Sequence, residues 1–298
     1  MTALFVGSLV LEVGFPPGVI NIVSGYGKTA GAAICKHPDV NKIAFTGSTV
    51  VGHQIQEMAA KTFKRVSLEL GGKSPVVVTE SVNVREAAEI AFTGCMANQG
   101  QCCCAATRTY VHEKVYDEFV TECGKIALQK VVGDPFDSNT HQGPQISQVQ
   151  TDKILDLIDS GLKQGAKVVT GGKRMNKKGY YIEPTVFANV TDDMRIAKEE
   201  IFGPVMQIFK YNDFNDVIER CNRTNYGLGS GILTKDIDQA LKFSAAIHSG
   251  SVWVNCYDAT MVQTPFGGFK ESGYGRELGE DGLHSYLEVK TVTIKMPQ

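Results

Sequence analysis

Three cysteines in a row, Cys102, Cys103 and Cys104, stand in the stretch NQGQCCCAA at residues 98–106. A free thiol is only a few per cent thiolate at neutral pH yet is strongly nucleophilic, so covalent catalysis is one reading of the triple. A metal or disulfide cluster is another. Adjacent cysteines are poor disulfide partners because their Cβ vectors diverge. None of the eight cysteines forms a CxxC pair facing a second CxxC or an HxxxH, which argues against zinc. Successive residues point in different directions, so at most one sulfur is expected to face a given pocket. A nucleophile or an inert buried cysteine remains.

Other stretches carry weaker chemical signals. LELGGKSP places Glu69 at the end of a strand, and the carboxyl ends of strands are where ligands sit in α/β sheets. FTGSTVVG, Phe45 to Gly52, follows a strand and opens a helix. Gly47 and Gly52 frame that turn, and Ser48 and Thr49 either cap the helix or donate to a phosphate oxygen at its N-terminus. GYGKTAG is similar but lacks the GxGxxG spacing. KEEIFGPV contains paired acids beside Phe202, and PFGGFKESGYGREL mixes aromatics with glycines as binding loops do.

The elements that must position these residues alternate. A helix from Thr2 to Val13, read as an amphipathic core helix, leads through GFPPG to an apolar strand, VINIVSG. A helix from about Thr29, strand KIAFTG, helix TVVGHQIQEMAAK and strand RVSLEL follow. After GGKSP a second series begins. Its helices are expected near Val84–Met96, Glu113–Lys130, Ser147–Gln164, Phe214–Arg223 and Asp236–Ala246. Its strands are ATRTYVH, AKVVTGG, VMQIFKY, GSGIL and SVWVN. Such alternation implies parallel sheets covered by helices. Residues 256–282 read as long loops, and SYLEVKTVTIKM reads as a terminal strand that needs a partner edge. The first region supplies about three βα units where a doubly wound cofactor domain usually has five or six strands.

With 298 residues, 43% of them hydrophobic, 21% charged and a net charge of −2, the composition is that of a globular protein with one large domain or two. Nearly balanced charge gives no electrostatic case for nucleic acid or an acidic membrane. The apolar start lacks the basic n-region of a signal peptide and is too short to span a bilayer.

Together, FTGS, LELGGKSP, NQGQCCCA, EEIFGPV, VNCYD and PFGGFKESGYGREL resemble the NAD(P)-dependent aldehyde dehydrogenases, nearest the animal class 1 and class 2 enzymes. The resemblance runs over essentially the whole chain in the family's order. It implies an α/β, aldehyde dehydrogenase-like fold. An incomplete Rossmann-type cofactor domain would span 1–71 and a complete α/β catalytic domain 72–270, with a return segment and oligomerisation strand at 271–298. It makes Cys103 the nucleophile and Glu69 the base that activates the deacylating water. Glu200 would hold the nicotinamide ribose, Phe202 would pack beside the nicotinamide, and Gln150 would lie near the same ribose. Gly47 and Ser48, with Thr49 and Gly52, would lie at the pyrophosphate, while Cys102 and Cys104 would line the acyl pocket or the core. The implied cofactor is NAD, with NADP as the alternative. The implied partner is a small aldehyde, in a homo-oligomer (dimer or tetramer) of the full-length form.

Family chains run about 200 residues further at the N-terminus, a domain's worth. The chain is therefore expected to be a truncated form lacking the opening strands, the lysine that meets the adenosine ribose and the asparagine of the oxyanion hole. This leaves a second expectation beside the enzyme: a catalytically silent form acting as structural protein or subunit partner. The cytoplasm is the default compartment, and the mitochondrial matrix applies if a targeting peptide precedes Met1.

Overall fold

A computed structural model describes residues 1–297. In the first region, helix α1 (Thr2–Val13) is followed, after a π-turn at Gly27–Gly31, by α2 (Ala32–Lys36), β1 (Lys42–Thr46), α3 (Thr49–Ala60) and β2 (Arg65–Glu69). The second series opens with β3 (Pro75–Val78), α4 (Val84–Met96), β4 (Arg108–His112), α5 (Tyr116–Leu128), α6 (Gln148–Lys163), β5 (Lys167–Thr170) and β6 (Thr185–Ala188). It continues through α7 (Arg195–Lys198), β7 (Val205–Tyr211), α8 (Phe214–Asn222), β8 (Tyr226–Gly227), β9 (Gly229–Leu233), α9 (Ile237–Ala246) and β10 (Ser251–Val254). Short strands β11 (Phe269–Lys270) and β12 (Gly273–Tyr274) and helix α10 (Gly279–His284) close it. No helix among the described residues is long and apolar enough to cross a membrane.

The larger sheet has seven strands in the order β10-β9-β3-β4-β7-β6-β5, parallel except for the β5–β6 pair. Side chains alternate faces along a strand, and each face has its own helices. Val77, Tyr110, Phe209 and Ile232 join α6, α8 and α9 through Ile154, Val217 and Phe243 in one core. Val76, Val78, Val111 and Leu233 join α4 and α5 through Phe92 and Phe119 in the other. Both faces are covered, which explains why these strands read as continuous apolar runs.

The smaller sheet has the order β1-β2-β12. β1 and β2 are parallel, while β12, from the far end of the chain, adds antiparallel to β2 with Gly273 opposite Glu69. Its core is small: Cys35, Ile43, Ile55, Ala59, Leu68 and Leu70.

Several expectations change here. Helix α1 forms over the expected residues, but none of its side chains is buried; Leu11 and Val13 are each 74% exposed. Its apolar character is not answered by a core within this chain. VINIVSG and the tail from Leu287 form no strand among the described residues, and neither joins a sheet. A strand's hydrogen bonds need a neighbour, so β-branched alternation alone does not make one. The helix expected from Thr29 begins instead as the π-turn and continues as α2. The stretch 256–282, read as loops, contains β11, β12 and the start of α10.

Candidate functional site

Glu69 ends β2, at the carboxyl edge of the small sheet. The chain then crosses through Leu70-Gly71-Gly72-Lys73-Ser74 into β3, so this crossing runs along the amino ends of the large sheet's strands. The cysteine triple also lies at those amino ends, just before β4. The site thus forms on the seam between the two sheets.

Two features aim the triple. Helix α4 stops at Met96, and Asn98, Gln99 and Gly100 then turn with φ of 50°, 60° and 68°. Three left-handed residues in succession are costly for all but glycine. Hydrogen bonds brace the turn: the Asn98 amide donates to the Gln101 carbonyl, and the Gln145 amide donates to the Gln99 carbonyl. A Cβ on Gly100 would lie 2.0 Å from the Gly203 carbonyl oxygen, so this glycine lets the two loops meet backbone to backbone. Gly100→Ala is expected to destabilise the fold by at least about 2 kcal/mol, read as a lowered urea midpoint, because strain and clash coincide. An unchanged midpoint would refute that reading.

The second feature is a tight turn at the cysteines, closed by the Ala105 amide donating to the Cys102 carbonyl. It overturns the expectation that the sulfurs diverge. In an extended chain they would; here the turn returns Cys104 toward Cys102, with their sulfurs 3.5 Å apart. All three Sγ atoms lie within 4.8 Å of one another. Cys104 is buried against Leu228 and Trp253, while Cys102 and Cys103 remain partly open.

The Cys103 thiol donates to Glu69 Oε1 at 3.5 Å, so the expected nucleophile and base do meet. Burial raises the Glu69 carboxyl above its ordinary range, and the thiol's hydrogen bond partly offsets this. Cys102 is lowered because the Cys103 and Cys104 thiols donate to its sulfur, joined by the Cys104 and Ala105 amides; the same donation raises Cys103 and Cys104. Cys104 also donates to Asp258 Oδ1 at 3.2 Å, and its carbonyl accepts from the Tyr257 hydroxyl at 2.7 Å. Sequence reasoning missed Asp258 and Gly72. A Cβ on Gly72 would sit 2.3 Å from the Cys103 carbonyl oxygen, and the glycine doublet in LELGGKSP was the available signal for that close approach.

Beside the cysteines opens a cleft of about 460 Å³, lined by Ser48, Thr49, Lys153, Glu200, Arg223 and Tyr226 among others. Ser48 caps α3 by accepting from the Val51 amide, and the helix N-terminus borders this cleft. Glu200 Oε1 accepts from the Gly72 amide at 3.0 Å, and burial raises its carboxyl. Not every expected residue lines the cleft. Gly52 is buried where a Cβ would strike Leu70, so it serves the packing of α3 onto the crossing. The Gly47 amide donates to the Glu69 carbonyl and ties the phosphate-type turn to β2. Gln150 donates its amide to the Ile201 and Phe202 carbonyls at 2.9 and 3.0 Å, bracing the left-handed Phe202 (φ 56°).

Beneath the crossing, the Lys73 ammonium is 1% exposed and has no hydrogen-bond partner. Burial first, then the charge of Arg108, lowers it to about 7 from an ordinary 10.5. The unfolded chain therefore binds this proton more tightly, and stability rises with pH between about 7 and 10.5. Below that window the full cost is present, on the order of 5 kcal/mol. Lys73→Met is expected to flatten this slope and to raise the melting temperature most near and below neutrality. A variant with the same slope as the parent would sink the argument.

Residues 1–292 match the model of the aldehyde dehydrogenase family. Aldehyde dehydrogenase 1A1 of Bos taurus is 59% identical over 100% of this chain and 60% of its own length. Retinaldehyde dehydrogenase 3 of Homo sapiens is 58% identical over 99% of the chain and 58% of its own length. Among solved structures, the NAD+ complex of aldehyde dehydrogenase from Bacillus cereus superposes with a TM-score of 0.98 at 44% identity, over 100% of this chain and 60% of that one. The chain thus spans about 60% of the length of the relatives it matches. With the sheets, the crossing and the Cys103–Glu69 pair in the arrangement described, the match is continuous from end to end, and the chain belongs to the aldehyde dehydrogenase family.

Proposed function

We propose that this chain carries the chemical centre of an NAD-dependent aldehyde oxidation. The single observation that carries the reading is the Cys103–Glu69 contact on the seam between the sheets; Gly72, close to the Cys103 carbonyl, links it to the Ser48–Glu200 cleft by donating to Glu200. Cys103 is the nucleophile. Its thiol points at Glu69 Oε1, which receives the proton as the thiolate attacks the aldehyde carbon. The resulting hemithioacetal alkoxide is positioned for a hydrogen bond from the Cys103 backbone amide. Hydride loss then leaves a thioester on Cys103. Glu69, kept partly proton-avid by burial, takes a proton from water as that water attacks the thioester, releasing the carboxylic acid.

The cleft is proposed to receive part of a dinucleotide. Val51 and Gly52 have their amides engaged by Ser48, leaving the preceding amides of α3 without helical partners for a phosphate. Lys153 and Arg223 add positive charge on the lining, and Glu200 offers a carboxylate to ribose hydroxyls. A nicotinamide held there supplies the hydride acceptor. Gln150 and Phe202 act indirectly, the amide fixing the backbone from which the Phe202 ring projects. Leu228, Trp253 and Phe266 pack beside the thiols, and the aldehyde's carbon chain is proposed to approach on that apolar side.

The proposed divisions are a cofactor-binding unit at 1–71, a catalytic unit at 72–270 and a return segment at 271–298 that rejoins β2 through β12. A homo-oligomer is proposed as the working form, with the unpartnered apolar faces of α1 and the tail as the surfaces available to it. The cytoplasm is the proposed compartment.

The reading is tested by following reduced cofactor on mixing aldehyde and NAD with this chain, and with a chimera joining it to the part of a family relative that it does not match. Aldehyde-dependent reduction in the chimera supports it. A folded chimera that binds NAD but never turns over would favour the silent, structural alternative.

A further inference from the structure

We propose that Cys102, Cys103 and Cys104 together form a binding site for a thiophilic divalent cation of the zinc class. The geometry is that of a preformed ligand set. A tetrahedral zinc with bonds near 2.3 Å to sulfur holds its sulfurs about 3.8 Å apart. Here the Cys102 and Cys104 sulfurs are 3.5 Å apart and all three lie within 4.8 Å. A small rotation about Cα–Cβ bonds closes the set without moving the backbone turn. Two carboxylate oxygens flank it, Asp258 Oδ1 at 3.2 Å from the Cys104 sulfur and Glu69 Oε1 at 3.5 Å from that of Cys103, and either they or water complete the tetrahedron.

The charges are those of a workable site. Three thiolates and one divalent cation leave a net charge of −1, the balance of a Cys3His zinc centre. Binding forms three metal–sulfur bonds and releases the thiol protons to solvent, with no electron transferred. An occupied site has no free Cys103 sulfur. On the reading of Cys103 as nucleophile, the cation is thus a reversible cap on the reaction, set by the free concentration of the metal and stripped by chelators.

The test uses the reduced 298-residue chain, Cd²⁺ as probe and no aldehyde or cofactor. Titration is expected to raise a sulfur-to-cadmium charge-transfer band that saturates at one equivalent and is displaced by Zn²⁺. Alkylation followed by peptide mass analysis should show residues 102–104 protected by the metal, while the exposed Cys256 still reacts. Cys102→Ser and Cys104→Ser should each weaken binding at least about tenfold, with Cys256→Ser unchanged. A band that survives Cys104→Ser in a folded variant overturns the proposal, as does one lost with Cys256. So does unprotected labelling of the triple in the unmutated chain, which needs no variant to fold. Cadmium binding without turnover in the chimera would leave this site standing and reject the enzymatic reading; turnover without cadmium binding would do the reverse.

Discussion

Cys103→Ala, placed in the chimera, should remove aldehyde-dependent cofactor reduction by a factor of about 10⁴–10⁶, as loss of a nucleophile does in enzymes whose catalytic residues act as a unit. The loss should appear in kcat, with NAD affinity by calorimetry unchanged, since Cys103 does not line the Ser48–Glu200 cleft. Its neighbours provide the internal control. Cys104 is buried and turned to Asp258, and Cys102 contacts its sibling sulfurs, so neither is placed to make the bond to substrate. Cys102→Ala and Cys104→Ala should keep activity within roughly tenfold of the parent, the residual loss reflecting proton transfer and packing. A folded Cys102→Ala variant as inactive as Cys103→Ala would assign the covalent bond to the wrong sulfur.

Glu69→Gln should separate the two halves of the reaction. The amide is isosteric and keeps the contact with the thiol but cannot accept a proton. A thiol retains a small thiolate fraction without a base, so rapid mixing should still give a burst of reduced cofactor close to one per site. Turnover after the burst should slow by about 10²–10⁴, because among the described residues Glu69 is the carboxylate that the Cys103 thiol meets. A variant that folds yet shows no burst would move Glu69 from hydrolysis to activation of the thiol.

Much of this arrangement was legible in the residues. Helix α4 spans the expected Val84–Met96, and β7 the expected VMQIFKY, since buried strands and capped amphipathic helices announce themselves by period and by cap residues such as Asn83. Glu69 and Cys103 were paired by family resemblance, and the structure brings them into contact. What failed did so for want of a neighbour. The period of α1 says helix but says nothing about what covers it, and VINIVSG and the tail carry strand patterns yet pair with no strand. β3 was hidden behind a glycine doublet read only as a break. The convergence of the three sulfurs was unreadable because it depends on one backbone turn, and a period-based reading treats neighbouring side chains as diverging.

The last strand of the small sheet is written about 200 residues after the strand it pairs with, Gly273 opposite Glu69. Ribosomal synthesis at ~5–20 residues per second therefore delivers the base-bearing strand many seconds before the segment that completes its sheet. During that interval the seven-stranded sheet can assemble from later, more local segments, while β1 and β2 wait with one edge open. Completion of the small sheet becomes a late, high-contact-order event, slow by comparison with helix pairing. Glu69, the proposed base, thus lies on the strand whose neighbour arrives last, and a nascent chain stalled before residue 273 lacks the strand that pairs beside it.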